Sequence, residues 1–194
     1  MKICVYGAAS EEIDKKYILA GEDLGRKMAQ SGHQLVYGAG ALGMMGAVSR
    51  GMQQENGFVT GIVPTFFKNE ELLNVNCTEL IRTETMRQRK EKMEELADAF
   101  VITPGGIGTF DEFFEILTLK QLNRHNKPIV IFNIDGFYDS LLKMLDEAIE
   151  KKFLNIECKA LYPAFNTAEE VLTYIEDYKP IDLTYMKNKL DGEK

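Results

Sequence analysis

The stretch AFVITPGGIGTFDEFFEI, residues 99–116, changes character half-way along, and that change sets the fold. Its first part is apolar and β-branched, the composition of a strand covered on both faces. Three glycines follow within four positions, at 105, 106 and 108, and a helical spacing of apolar residues begins at Thr109. A strand that passes through a glycine turn straight into a helix is half of a parallel βαβ unit. Such a turn also exposes backbone N–H groups at a helix start, a place that favours an anion.

The same alternation recurs on both sides. Short apolar runs stand at ICVYG (3–7), QLVYG (34–38), FVTGIVP (58–64) and PIVIFN (128–133), with helical periodicity over 15–31, 44–55, 85–97, 109–124 and 137–152. Parallel strands joined by crossover helices, an α/β doubly wound sheet, are the predicted architecture. Its ligands bind beyond the carboxyl ends of the strands. With 194 residues, 45% of them hydrophobic, the chain suits one domain, expected over 1–180 with a loose C-terminal tail over 181–194.

Bulk composition excludes several classes. A net charge of −7 argues against a nucleic-acid surface. No apolar run approaches the ~20 residues of a membrane span, and the start MKICVYGAAS is too short an apolar run for a signal peptide. Cys4, Cys77 and Cys158 are odd in number and lack metal or redox spacing, which predicts a reduced, cytoplasmic protein. His33 and His125 are the only histidines, and no acid or cysteine cluster has ligand spacing, so no metal is expected.

Two glycine loops compete for a phosphate. GAGALG, 38–43, has the GxGxxG spacing, but the next strand ends GIVPTFF without the acid that would hold a ribose. It reads either as a tight strand-to-helix turn or as a phosphate contact. Neither loop ends in Gly-Lys-Ser/Thr, which argues against a P-loop. In the second loop, Thr109-x-x-Glu112 has two readings, a capping box or a working acid beside a bound anion. On a helical wheel Asp111, Glu115 and Thr118 share a polar arc, whereas Glu112 lies between Ile116 and Leu119. A carboxylate on that apolar side needs a partner. Arg89 in TMRQRKEKMEELADAF, 85–100, is equally misplaced, three after Met86 and four before Met93 on the apolar stripe. It either snorkels at the core edge or points inward at an anion or carboxylate. The pairs Arg87/Glu91 and Lys90/Glu94 have surface-helix spacing, and Asp111 reads as helix furniture.

PGGIGTFDE (104–112) and MRQRK (86–90) resemble the PGGxGTxxE and MHxRK signatures of the Lonely Guy family, whose members are often labelled lysine decarboxylases. The resemblance extends through ICVYGAAS, VYGAGALGMMG, VTGIVP and NKPIVIFNIDGFYDSLL and so covers most of the chain. It implies a Rossmann-like single domain, usually a homodimer. The implied activity is hydrolysis of the N-glycosidic bond of a cytokinin riboside 5′-monophosphate or a related purine nucleoside 5′-monophosphate such as AMP. Free base and ribose 5-phosphate are the products, and no cofactor is implied. By the same resemblance Arg89 and Glu112 are the catalytic pair. Glu71, Met86, Lys90, Gly105, Gly106, Gly108, Thr109 and Thr118 are substrate-binding positions. Arg87 stands where the motif has histidine, Leu119 where tryptophan is common, and Ala39 within a usual triple glycine. The rival reading is a nucleotide- or molybdenum-cofactor-binding carrier of the same fold, which would not require Arg89 and Glu112 together.

Overall fold

The computed structural model describes residues 1–67, 73, 74 and 76–182. Seven parallel strands form one sheet: β1 (Lys2–Tyr6), β2 (Gln34–Tyr37), β3 (Val59–Pro64), β4 (Glu79–Thr83), β5 (Ala99–Ile102), β6 (Ile129–Phe132) and β7 (Ala164–Phe165). Their order is β4-β3-β2-β1-β5-β6-β7. The helices are α1 (Lys15–Gln30), α2 (Gly43–Gln54), α3 (Met86–Leu96), α4 (Ile107–Gln121), α5 (Asp139–Glu150) and α6 (Ala168–Glu176).

Strand alternation divides the core in two. Ile3, Val5, Leu35, Tyr37, Val101 and Val130 pack with residues of α1, α2 and α6 such as Leu24, Met28, Val48 and Val171. Cys4, Tyr6, Val36, Phe100, Ile102 and Ile131 pack on the other face with Met93 of α3, Phe113 and Ile116 of α4 and Leu145 of α5. Because both faces are covered, the central strands read as continuous apolar runs rather than alternating ones.

The chain adds β2, β3 and β4 to one side of β1, then returns to add β5 on the other. That reversal lies between β1 and β5 and leaves a crevice beyond their carboxyl ends. The five expected strands are present. The spacing did not announce β4, an edge strand with charged and exposed positions, or β7, only two residues long. Nor did it announce α6, although Thr167 and Glu170 form a capping box at its start. The compact body continues past the expected boundary at 180. Asn126 exchanges hydrogen bonds with the backbone of Ile181 and accepts one from Tyr178. Most of the expected tail, from 183 onward, lies outside the described residues.

Candidate active site

Several strand ends and two helix starts converge on the crevice. After β5 the chain enters the glycine turn through Thr103, whose N–H and hydroxyl both donate to the Tyr6 carbonyl, at 2.9 and 2.8 Å. This ties the turn to the end of β1. Gly7 has no alternative there, since a Cβ would lie 2.1 Å from the Thr103 hydroxyl. α4 then starts at Ile107 with Gly106 as its N-cap and no side chain capping it. The first-turn N–H groups have no partner within the helix, and positions 106 and 108 face open space. Thr109 falls at the third helical position, so the capping-box reading of Thr109 and Glu112 is corrected. Thr85 with Gln88 does form such a box, at the start of α3.

Glu112 lies one turn further along α4. Its side chain is 11% exposed, and Oε1 accepts from Arg89 Nη1 at 2.9 Å. Arg89, equally buried, donates from Nε to the Ile62 carbonyl of β3 at 3.1 Å. It therefore aims inward and does not snorkel. Burial pushes the Glu112 carboxyl above its ordinary value, and the adjacent guanidinium opposes that rise without cancelling it.

Lys90 reaches from α3 to Asp111 at 2.9 Å and Glu115 at 2.8 Å on α4. Burial works against its charge, but the two carboxylates outweigh it and hold the ammonium above its usual value. Lys90 thus turns across to α4 rather than along its own helix to Glu94. Asp111 is more than furniture: with Glu115 it fixes α3 against α4 beside the buried pair.

A cleft of about 400 Å³ opens over these groups, bounded by Gly7, Ser10, Gly106, Thr109, Arg89 and Glu112. Beside it lies a smaller apolar recess of about 190 Å³, lined by Leu42, Met45, Val63, Phe67, Leu73 and Met86 among others. Ala9, Met45, Met86 and Arg89 line both. The larger groove along α6, about 770 Å³ between Phe165 and Ile181, shares no lining residue with either. Neither histidine reaches the cleft. His33 pairs with Glu176, while His125 donates to the Ile116 carbonyl and burial pushes it down to about 4, keeping it neutral. Among the described residues no cluster of three or more His, Cys, Asp or Glu could hold a metal. The buried ion pair presented to the cleft is the Glu112 carboxylate with the Arg89 guanidinium, and Lys90 and Asp111 stand at its edge.

A family model described as "Possible lysine decarboxylase" matches residues 45–175. The cytokinin riboside 5′-monophosphate phosphoribohydrolase LOG2 of Arabidopsis thaliana is 36% identical, over 92% of this chain and 84% of its own length. The enzyme of that activity named LOG in Oryza sativa subsp. japonica is 34% identical, over 92% of this chain and 74% of its own. The chain belongs to the Lonely Guy family. Among solved structures, the molybdenum cofactor binding protein of Rippkaea orientalis superposes with a TM-score of 0.67. At 20% identity, over 90% of this chain and 93% of that one, it shares the fold alone.

The Lonely Guy signature positions are mostly gathered at the cleft. Met86, Arg89, Lys90, Gly106, Gly108, Thr109 and Glu112 line it. Gly105 packs behind, where a Cβ would meet the Thr109 hydroxyl at 2.1 Å. Thr118 does not join them: it is exposed nearly two turns beyond Glu112. Glu71 lies outside the described residues. Sequence reasoning missed the loop after β1, where Ala8, Ala9 and Ser10 form one wall, and Met45 at the junction with the recess. The stretch YGAAS, small residues directly at the end of β1, was the signal that could have marked the wall.

Proposed function

We propose that this chain is a phosphoribohydrolase that cleaves the N-glycosidic bond of a cytokinin riboside 5′-monophosphate or related purine nucleoside 5′-monophosphate. One observation carries the reading: a buried carboxylate–guanidinium pair stands one helical turn from an uncapped helix start in a common cleft. The 5′-phosphate fits the N–H groups of the 105–109 turn, at the positive end of the α4 dipole. Anchored there, the ribose is presented to Glu112.

Breaking the bond to the base builds positive charge at the anomeric carbon, and the ionised carboxylate stabilises that charge. Glu112 also accepts a proton from the attacking water, whose hydroxyl ends on the sugar and whose proton ends on the departing base. Arg89 holds Glu112 in place and offsets its charge; its guanidinium stays protonated throughout. The apolar recess next to the pair suits the base and an apolar substituent on it. Chromatography of free base from a panel of nucleoside 5′-monophosphates tests this directly. Release from purine monophosphates is the expected result, and absence of release from every member would overturn it.

Neither other reading gains support. A Schiff-base decarboxylase needs an uncharged lysine in the cleft, but Lys90 is held as an ammonium by two carboxylates. Lys120 is fully buried at the far end of α4, donating to the Lys127 carbonyl and Tyr178. A carrier would have no use for a desolvated Arg89–Glu112 pair.

The surface of α4 supports a homodimer. Phe113 and Ile116 are buried in the sheet contact, but Ile107 is 86% exposed and Phe114 and Leu122 are also exposed. Ile156 is exposed on the 3₁₀ turn Ile156–Leu161 that packs against α4, and Phe153 nearby is 84% exposed. Apolar groups concentrated on adjoining elements fit a second copy of the chain. Light scattering should give a dimer at micromolar concentration, and Phe114→Glu with Phe153→Glu should give a monomer. A monomeric parent at that concentration would count against it. The free thiols of Cys4 and Cys77 fit a cytoplasmic enzyme.

A further inference from the structure

Two residues of the GAGALG loop, Gly38 and Ala39, stand in places that backbone conformation does not explain, whereas Gly43 has the positive φ of 58° that suits glycine. Ala39 is also in the left-handed region, with φ of 58°, where glycine would be free of strain. Gly38, one position earlier, is not in that region. Something other than the backbone excludes a side chain from position 38.

The excluded volume belongs to Arg89. A Cβ on Gly38 would lie 1.8 Å from Arg89 Nη2, 3.0 Å from Cζ and 3.1 Å from the Met45 sulfur. The other two guanidinium nitrogens are engaged, Nη1 with Glu112 and Nε with the Ile62 carbonyl. The planar group therefore has one fixed pose, and position 38 is the floor beneath it. Moving the guanidinium away from Gly38 means lengthening at least one of those two bonds.

We propose that Gly38 is a positioning residue for Arg89: the absence of a side chain there seats the guanidinium against Glu112. Glu112 receives its partner at 2.9 Å while Nε is held by the Ile62 carbonyl of β3 and Nη2 rests over Gly38 after β2. The first glycine of the dinucleotide-like spacing is then explained by a side chain from α3, four elements further along the chain, while Gly40 and Gly43 pack against Met45 and the Ala8–Ser10 backbone.

Gly38→Ala tests this in two backgrounds. The turnover arm rests on the phosphoribohydrolase reading. Displacing the guanidinium by about an ångström should lower kcat on the order of 10²-fold. The acid limb of kcat should move to higher pH, because Glu112 loses the neighbour that favours its ionised form. Conservative packing loss alone would not move that limb. A stability cycle is independent of any activity. The fall in denaturant midpoint caused by Gly38→Ala should be larger in the parent than in Arg89→Ala, where the conflicting group is gone. If Gly38→Ala does not fold, the double variant must. Parent kcat in Gly38→Ala, an unmoved acid limb, or the same stability penalty in both backgrounds would overturn the proposal. So would a double variant that fails to fold.

Discussion

Glu112→Gln should leave a folded protein that binds nucleotide but hydrolyses it about 10²–10⁴-fold more slowly, the range for loss of one acid–base group. The substitution separates chemistry from architecture. Glu112 caps nothing, since α4 begins at Ile107 behind an uncapped Gly106. The glutamine oxygen can still accept from Arg89, so shape and contact persist while the charge goes. Arg89→Ala should also slow turnover, and the double variant should lose less than the product of the two, as expected of residues that act as one unit. The pH dependence has a definite sign. Burial raises the Glu112 carboxyl above its ordinary 4.5, and the working form is the carboxylate. Parent kcat should therefore fall as pH drops through that raised value, on a limb placed above 4.5. The residual activity of Glu112→Gln should lack that limb. Stability runs the other way: a carboxyl raised by folding binds its proton more tightly in the folded chain. Between 4.5 and the raised value this group's contribution thus grows as pH falls. Parent-rate hydrolysis by Glu112→Gln would remove the residue from the mechanism.

Removing the 5′-phosphate from the substrate should be nearly as damaging. The N–H groups at the start of α4 are charge-assisted donors to a phosphate, at about 1.5–3 kcal/mol each. Two such bonds correspond to about 10²–10⁴-fold in kcat/KM between the monophosphate and its nucleoside. Part of the loss should appear in kcat itself, because the anchored end of the substrate is what holds the ribose against Glu112. Steady-state kinetics with paired substrates gives the ratio. Equal kcat/KM for nucleoside and monophosphate would show that the 105–109 turn serves only the fold.

The sequence carried the βα alternation clearly because central strands covered on both faces must be apolar throughout. It carried the site through misfits: Arg89 on an apolar stripe and Glu112 on the apolar side of its helix. Each violated the local pattern, and each was the other's partner. What stayed hidden depends on neighbours distant in the chain. The capping-box spacing at Thr109 could not reveal that the helix starts two residues earlier. Lys90 has helical partners in sequence but takes Asp111 and Glu115 instead. The glycine at 38 looks like any turn glycine until a side chain from α3 is seen resting on it.

Arg89 is the charged residue that lines both the cleft and the recess, beside Ala9, Met45 and Met86. The glycine turn and Glu112 lead into or belong to α4, beside the ends of β1 and β5, while Gly38, Gly40, Val63 and Pro64 of the recess follow or end β2 and β3. On the proposed reaction, substitutions in the recess should alter which base is accepted while Arg89 and Glu112 keep their geometry. Such a layout should let base preference be changed by substitution without loss of the Arg89–Glu112 pair. The exceptions are positions whose side chains would intrude on the guanidinium, where a change in preference and a loss of rate arrive together.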